Sequence, residues 1–315
     1  MKHRKASPDT LKFLIVAILF MVLLDQFFYG GARPHTEVVR PESPPTEILT
    51  PAETGSKPVP RPAIAAPAPL LIPPMADHTP EEQPAWKKFA VPVTVPEGMP
   101  TVTIIIDDLG EDRAHTKEII ALPGPLTAAF LPYPAKVAEQ VAEARKAGHE
   151  IMVHMPMEAE EADLDPGAYV LRSSMIPDSF EKVLEKNLAA FGGYVGINNH
   201  MGSRLTQDPA AMWIVMAHLY DHGLLFVDSR TIASSVAEDV AADYGVPHAA
   251  RNVFLDNDPD VESVMKNLRT LEYLAIKKGH AIAIGHPKRA TIDALKQWLP
   301  TLEGKRMMLV PASAV

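Results

Sequence analysis

The chain after residue 100 is predicted to be an α/β domain built on a parallel sheet. Apolar runs with β-branched residues recur there, stretches of helical composition separate them, and the two kinds of segment alternate. The strand candidates are residues 102–106, 126–131, 151–153, 195–197, 224–227, 253–255, 281–284 and 307–310. The helical stretches are residues 135–146, 179–191, 209–221, 259–278 and 290–299. This alternation indicates a doubly wound open sheet or a closed or incomplete (β/α) barrel, and about seven repeats favour the barrel.

The first segment, residues 1–32, has the pattern of an export signal. Basic residues precede an apolar run over residues 13–24. A helix of that length spans about 18 Å, but counting through Tyr29 brings it close to the length that crosses a bilayer. A retained anchor and a signal peptide cleaved near Gly30 and Ala32 both stay open, and we favour the anchor. The anchor predicts an exported protein attached to the inner membrane, with the following domain in the periplasm or otherwise outside the cytoplasmic membrane.

Residues 33–100 are predicted to form a proline-rich, disordered linker. Of the 31 prolines in the chain, 17 lie between Pro34 and Pro100. Proline lacks a backbone N–H and has a fixed φ, so such a segment builds neither helices nor sheet ladders and buries no core. The linker is therefore expected to be an extended spacer that holds the domain away from the membrane.

Composition excludes several classes of protein. The chain contains no cysteine, which rules out disulfides, a thiol nucleophile and a metal site with cysteine ligands. The formal net charge of -9 argues against nucleic acid as a partner, because a general nucleic-acid binder needs a basic face. Because cysteine is absent, any metal must be held by histidines and carboxylates.

Polar residues at the carboxyl ends of the predicted strands are the candidate site residues. Ligands of parallel α/β folds bind at these ends, and acids or histidines follow six of the eight strand candidates. They are Asp107 and Asp108, His154, His200, Asp228 with Arg230, Asp256, and His286. One aspartate with two histidines is a normal ligand set for Zn²⁺, which leaves positions for water and substrate. Such a site also needs a base for the water and an acid for the leaving group.

Alternatives to this interpretation stay open for single residues. Asp107-Asp108-Leu109-Gly110 is also a sequence typical of a turn and helix cap. A lone histidine such as His154 is more often a hydrogen-bonded core residue than a ligand. His218 and His222 have the spacing of a helical metal pair, but we interpret them as a solvated helix end.

Residues 101–315 resemble the polysaccharide deacetylase superfamily with its NodB-like fold, and specifically its divergent branch. The matching motifs are Ile-Ile-Asp107-Asp108, the strand Gly148 to His154, and Ile284-Gly285-His286, with Asn198 to Ser203 and Asp228-Ser229-Arg230 resembling the divergent branch. The resemblance implies a distorted, incomplete (β/α) barrel and a carbohydrate deacetylase activity.

The resemblance also implies roles for individual residues. It makes Asp107 the catalytic base, Asp108 and His154 metal ligands, and His286 the general acid. The second metal histidine of typical members is Glu158 in this register, and their Arg-Pro-Pro-Tyr segment is missing. We predict that His200 replaces the missing ligand. We further predict that Asp228 and Arg230 orient the base or stabilise charge.

Two functions follow as hypotheses. The first is a membrane-tethered hydrolase that depends on a divalent metal, zinc by preference, and removes N- or O-acetyl groups from an envelope polysaccharide or peptidoglycan. The alternative is a glycan-binding or envelope-assembly protein that keeps the deacetylase fold without turnover, which the missing second histidine motivates. Acetylated glycan, and the membrane through the amino-terminal helix, are the predicted partners.

Overall fold

A computed structural model describes residues 83–315. The predicted membrane segment and the linker up to residue 82 lie outside these residues. Within the described part, no helix combines the length and the apolar character needed to cross a membrane.

Helices and strands alternate along the described chain, as predicted. The strands are β1 (Thr101–Leu109), β2 (Thr127–Phe130), β3 (Glu150–Met157), β4 (Gly196–Met201), β5 (Leu225–Asp228), β6 (His248–Ala250), β7 (Val253–Phe254), β8 (His280–Gly285) and β9 (Met308–Leu309). The helices are α1 (Ala85–Lys88), α2 (Arg113–Ile120), α3 (Val137–Lys146), α4 (Pro177–Leu188), α5 (Pro209–Asp221), α6 (Ala237–Tyr244), α7 (Val261–Lys278) and α8 (Arg289–Trp298).

The strands form one curled parallel sheet. Its order is β6-β5-β4-β3-β2-β1-β8-β7, and β9 pairs with β1. The edge strands β6 and β7 are separated in the chain by Arg251 and Asn252 alone, which span at most about 11 Å. The Arg251 N–H donates to Asp228 of β5 and the Asn252 N–H to Ile282 of β8. The two edges of the sheet therefore approach each other, and the predicted incomplete barrel is confirmed.

Alternation along the strands separates two apolar layers. Val102, Ile104 and Ile106 pack under the helices, in a cluster that includes residues of α3 to α8. Ile105 belongs to a smaller cluster formed by the inward-facing residues of the sheet. Successive side chains of a strand point to opposite faces, so β1 is buried on both sides and reads as a continuous apolar run.

The segment before β1 differs from the prediction, because its last part packs on the domain. Trp86 and Phe89 lie against the inner apolar cluster, and the Trp86 N–H donates to the Gly223 carbonyl at 2.9 Å. Gly223 has φ +60°, and a Cβ there would lie 2.9 Å from Pro84. The predicted boundary at residue 101 is therefore too late, since apolar residues between the prolines find a partner surface. We call residues 84–89 the strap.

The last residues of the chain also contact the interior of the sheet. The Ala312 N–H donates to Thr127 Oγ1 and the Ser313 N–H donates to Glu150 Oε1, both at 3.0 Å. Burial raises the pKa of Glu150, although the hydrogen bonds that it accepts from Ser313 oppose the shift. Thr127 and Glu150 begin β2 and β3, and Gly223 lies just before β5. Strap and carboxyl terminus thus cover the amino end of the barrel, and among the described residues they lie opposite the polar ends of the strands.

Removal of the strap's largest side chain should destabilise the domain. We expect Trp86→Ala to lower the free energy of unfolding by about 2 kcal/mol, because it exposes part of the inner cluster. Urea unfolding measures the change. Tyr273→Ala is the matched control, since the Tyr273 side chain is 58% exposed and should cost less than about 0.5 kcal/mol. If the two variants were equally stable, the strap would not contribute to the stability of the domain, and the domain would begin at residue 101 as predicted.

Candidate active site

The end of β1 brings two adjacent carboxylates to one place. In a regular strand Asp107 and Asp108 would point to opposite faces. The pairing of β1 with β2 is irregular between Ile106 and Leu109, and Asp108 has a left-handed backbone with φ 57°. Such an irregularity redirects a side chain at the end of a strand. Both carboxylates therefore reach the same cluster of histidines.

Asp108, His154 and His200 converge from three strands. Asp108 Oδ1 lies 3.2 Å from His154 Nε2 and 2.9 Å from His200 Nδ1, and these two nitrogens are 3.1 Å apart. Atoms bound to one ion at about 2.0–2.2 Å are separated by about 2.9–3.5 Å, so the three donors fit a single metal ion. Within the described residues these three form the cluster able to hold a metal.

Register explains how the two histidines meet. His154 of β3 pairs with Asn198 of β4, and Pro156 pairs with His200. His154 and His200 therefore stand on neighbouring strands, two positions apart along the sheet, with their ring centroids 4.8 Å apart. This spacing cannot be read from the 46 residues that separate them in sequence.

The electrostatics of the cluster favour an ionised Asp108. Burial alone would raise its pKa, but the imidazoles of His154 and His200 outweigh burial and hold the pKa of Asp108 well below its usual range. Burial likewise opposes the charged form of His154, yet Asp107 and Asp108 raise the pKa of His154 to about 9. Asp108 thus carries the negative charge that a cation requires, and a bound cation would take the place of the proton on His154 Nε2.

Asp107 lies beside these donors and is more deeply buried than Asp108. It is 2% exposed, its Oδ1 accepts a hydrogen bond of 2.7 Å from Asn198 Nδ2, and its Oδ2 is 3.7 Å from His154 Nε2. Burial raises the pKa of Asp107, although His154, His286 and Asn198 oppose the shift. A carboxylate with a raised pKa next to a metal-binding cluster has the properties of a general base.

His286 directly follows β8, which pairs with β1 on the side opposite to β2. From there its side chain faces the cluster. Its Nε2 lies 3.8 Å from Asp108 Oδ2, and its Nδ1 donates to Asp256 Oδ1 at 2.9 Å. Burial would lower the pKa of His286, but the ion pair with Asp256 and the nearby Asp107 and Asp108 raise it. A protonated imidazole with its ring held by a carboxylate can serve as a general acid.

Asp256 is one of the polar residues that follow predicted strands, but the sequence indicates no catalytic or metal-binding role for it. Its Oδ2 accepts hydrogen bonds from the His286 N–H and from Thr291 Oγ1, both at 2.7 Å. Asp256 and His286 are 30 residues apart in sequence. Their contact follows from the pairing of β7 with β8, which the sequence alone does not reveal.

Arg230 and Asp228 differ from expectation. The structure turns the Arg230 guanidinium away from the cluster and onto Glu238, with Nε 3.1 Å from Glu238 Oε2. Arg230 has φ 49°, and its N–H donates to Asp228 Oδ1 at 2.7 Å. Asp228 Oδ2 accepts from Ser235, also at 2.7 Å. Both residues therefore order the loop after β5, and neither contacts Asp107.

Arg251 is the cation that the sequence left unassigned. It lies between β6 and β7, where its Nε donates to the Ser229 carbonyl at 2.6 Å and its guanidinium lies 5.0 Å from the Phe254 ring centre. Burial lowers the pKa of Arg251, and the charges of Asp107 and Asp228 oppose this effect. The sequence pattern does not predict the short strand β6 that precedes Arg251, so no strand end drew attention to this residue.

Glu158 does not take the place of the second histidine. Its Oε2 accepts from the Ser173 N–H at 2.9 Å, and its Oε1 lies 3.9 Å from Arg204 Nε. These contacts hold the long loop after β3. The chain position four residues after His154 is thus used for loop structure, and the third potential ligand comes from β4.

Comparisons with known proteins show the family to which the chain is similar. The family model described as divergent polysaccharide deacetylase matches residues 104–315. An uncharacterized protein of Haemophilus influenzae is 35% identical over 202 residues, which cover 64% of this chain and 71% of that protein. The uncharacterized protein YibQ of Escherichia coli K12 is 33% identical over 214 residues, 68% of this chain and 66% of that protein.

A solved structure shares the fold. The uncharacterized protein ATU2773 from Agrobacterium tumefaciens C58 superposes with a TM-score of 0.71 at 26% sequence identity, covering 73% of this chain and 94% of that one. The family model spans more than half of the chain and includes Asp107, Asp108, His154, His200 and His286. The chain therefore belongs to the divergent polysaccharide deacetylase family.

Proposed function

We propose that the protein is a metal-dependent carbohydrate deacetylase that hydrolyses N- or O-acetyl groups. The observation that carries the proposal is the triangle of Asp108, His154 and His200, whose donor atoms lie 2.9–3.2 Å apart, with Asp107 and His286 each within 4 Å of one corner. These residues supply a cation site, a base and an acid, which are the groups that hydrolysis of an acetyl group needs.

The three donors of the triangle would hold a divalent cation, zinc by preference for this mixed set. When bound, the ion polarises an acetyl carbonyl and lowers the pKa of a water molecule. Asp107 takes the proton of the attacking water. His286, paired with Asp256, gives a proton to the departing amine or alkoxide, so that acetate and a free sugar group leave.

The proposed substrate is an acetylated envelope polysaccharide or peptidoglycan. Membership of a polysaccharide deacetylase family supports a glycan, and the basic and apolar pattern of residues 1–32 supports an envelope location. We propose an inner-membrane anchor, with the domain on the periplasmic side.

Loss of the two histidines should remove the metal. We expect the His154→Ala, His200→Ala double variant to bind zinc more than about 100-fold more weakly, because two of three bonds to the ion are lost. Metal content after dialysis measures this. The His218→Ala, His222→Ala variant is the control, since this stacked pair lies at the end of α5 near the amino end of the barrel. Stoichiometric zinc in the first variant would refute the metal site.

A second experiment should distinguish the proposed base and acid from the metal ligand by the effects of their substitutions. Asp107→Asn and His286→Ala are expected to reduce acetate release by about 10²- to 10⁴-fold with zinc retained, because these groups move protons. Asp108→Asn should lose zinc as well. Acetate released from chitin oligomers and peptidoglycan, measured beside zinc content, distinguishes the roles.

Two results would contradict this assignment. Loss of zinc from the Asp107 variant but not from the Asp108 variant would exchange the roles of the two carboxylates. A wild-type chain that binds zinc and glycan but releases no acetate from a broad panel of substrates would favour the binding or assembly function.

The anchor is tested in cells. We expect the full-length chain, with its amino terminus intact, in the membrane fraction. A soluble mature form that starts near Arg33 would show a cleaved signal peptide instead.

A further inference from the structure

Asn198 is the buried amide at the centre of the site. It is fully buried on β4, and the mechanism proposed above gives it no role. Its Nδ2 donates to Asp107 Oδ1 at 2.7 Å and to Ser229 Oγ at 3.2 Å, while its Oδ1 accepts from His154 Nδ1 at 2.9 Å. One side chain thus connects the proposed base with a proposed metal ligand.

We infer that Asn198 is a positioning residue, which presents His154 Nε2 to the metal and holds Asp107 as the base. The inference rests on the proposed function for its account of Asp107, and on the metal site alone for its account of His154. Nothing in its geometry depends on which acetylated glycan is the substrate.

The orientation of the amide follows from its neighbours. An ionised carboxylate only accepts hydrogen bonds, so the group facing Asp107 must be the NH₂ of Asn198. The amide oxygen then faces His154 and accepts its Nδ1–H. In the neutral imidazole that binds a metal, the proton stays on Nδ1 and the lone pair lies on Nε2, which is the atom 3.2 Å from Asp108 and 3.1 Å from His200. A hydrogen bond of this kind fixes which imidazole nitrogen can bind a metal.

The same amide determines the position of Asp107. Asn198 binds Oδ1 and leaves Oδ2, the oxygen 3.7 Å from His154 Nε2, facing the site. A neutral donor holds the carboxylate and lowers its basicity less than a cationic donor at 2.7 Å would. Asparagine therefore serves an acceptor and a donor function at once, and aspartate or leucine would each fail in a different way.

Two substitutions separate these functions. Asn198→Leu removes both hydrogen bonds and should weaken zinc binding by about 10- to 100-fold. Asn198→Asp keeps an acceptor for the Nδ1–H of His154 but places a carboxylate against Asp107. Its zinc affinity should stay within about threefold of wild type or increase, whereas acetate release should fall at least about tenfold in both variants. A merely structural role would not produce restored affinity without restored turnover.

Asn199 provides the matched control. It is buried on the same strand, but its Oδ1 accepts from the Ser229 N–H and its Nδ2 donates to the Met201 carbonyl. Asn199→Leu should therefore lower the melting temperature while zinc affinity, measured by calorimetry on folded protein, stays within about threefold of wild type.

A measurement without substitution covers the case in which the Asn198 variants do not fold. In wild-type protein loaded with ¹¹³Cd and labelled with ¹⁵N-histidine, we expect coupling of cadmium to Nε2 of His154 and to Nδ1 of His200. Coupling to Nδ1 of His154 would overturn the inference, as would unchanged zinc affinity in folded Asn198→Leu. A wild-type chain that binds no zinc overturns both this inference and the metal site. A chain that shows these affinities and couplings but releases no acetate overturns the proposed function alone.

Discussion

The irregular end of β1 is the constraint on which the site depends. Two adjacent aspartates repel each other, and a regular strand would direct them to opposite faces. The left-handed Asp108 brings its carboxylate to the imidazoles, while Asp107 stays buried beside Asn198. Because the neighbours differ, burial raises the pKa of Asp107 and the imidazoles lower that of Asp108. The local backbone conformation thus gives two identical side chains opposite pKa shifts, as the proposed roles of base and metal ligand require.

The two ends of the barrel are built in contrasting ways. At the amino end, the strap places Trp86 and Phe89 against the inner apolar cluster, and Glu150 binds the backbone of Ser313. At the carboxyl end, the residues that follow the strands are acids, amides and histidines. Since the strands are parallel, all of these polar groups meet at one opening. Covering one end with apolar side chains leaves the other for ligands without exposing the core.

The sequence predicted the alternation of strands and helices and most of the polar groups at the strand ends, because both depend on local pattern. It did not predict α2, a helix of eight residues with a hydrogen-bonded Asp112 cap and two buried side chains, whose apolar stripe is too short to recognise. Arg230 is a candidate because of its neighbours in sequence, whereas Arg251 comes within range of the charge of Asp107 because the sheet curls. Contacts between distant strands, such as Asp256 with His286, follow from register, which a single sequence does not contain.

The change of ligand has a structural consequence. The typical members that the chain resembles place the second metal histidine four residues after the first, so both histidine ligands come from one short segment. Here the donors come from β1, β3 and β4, and β2 lies between β1 and β3 in the sheet. A cation bound at this site would connect three strands, and its affinity would depend on their register as well as on the ligands. The buried Asn198, which spans from β4 to the end of β1 and to His154 of β3, holds the same three strands without a metal. The sheet therefore already holds the donors 2.9–3.2 Å apart, and binding an ion there would require little rearrangement of the backbone.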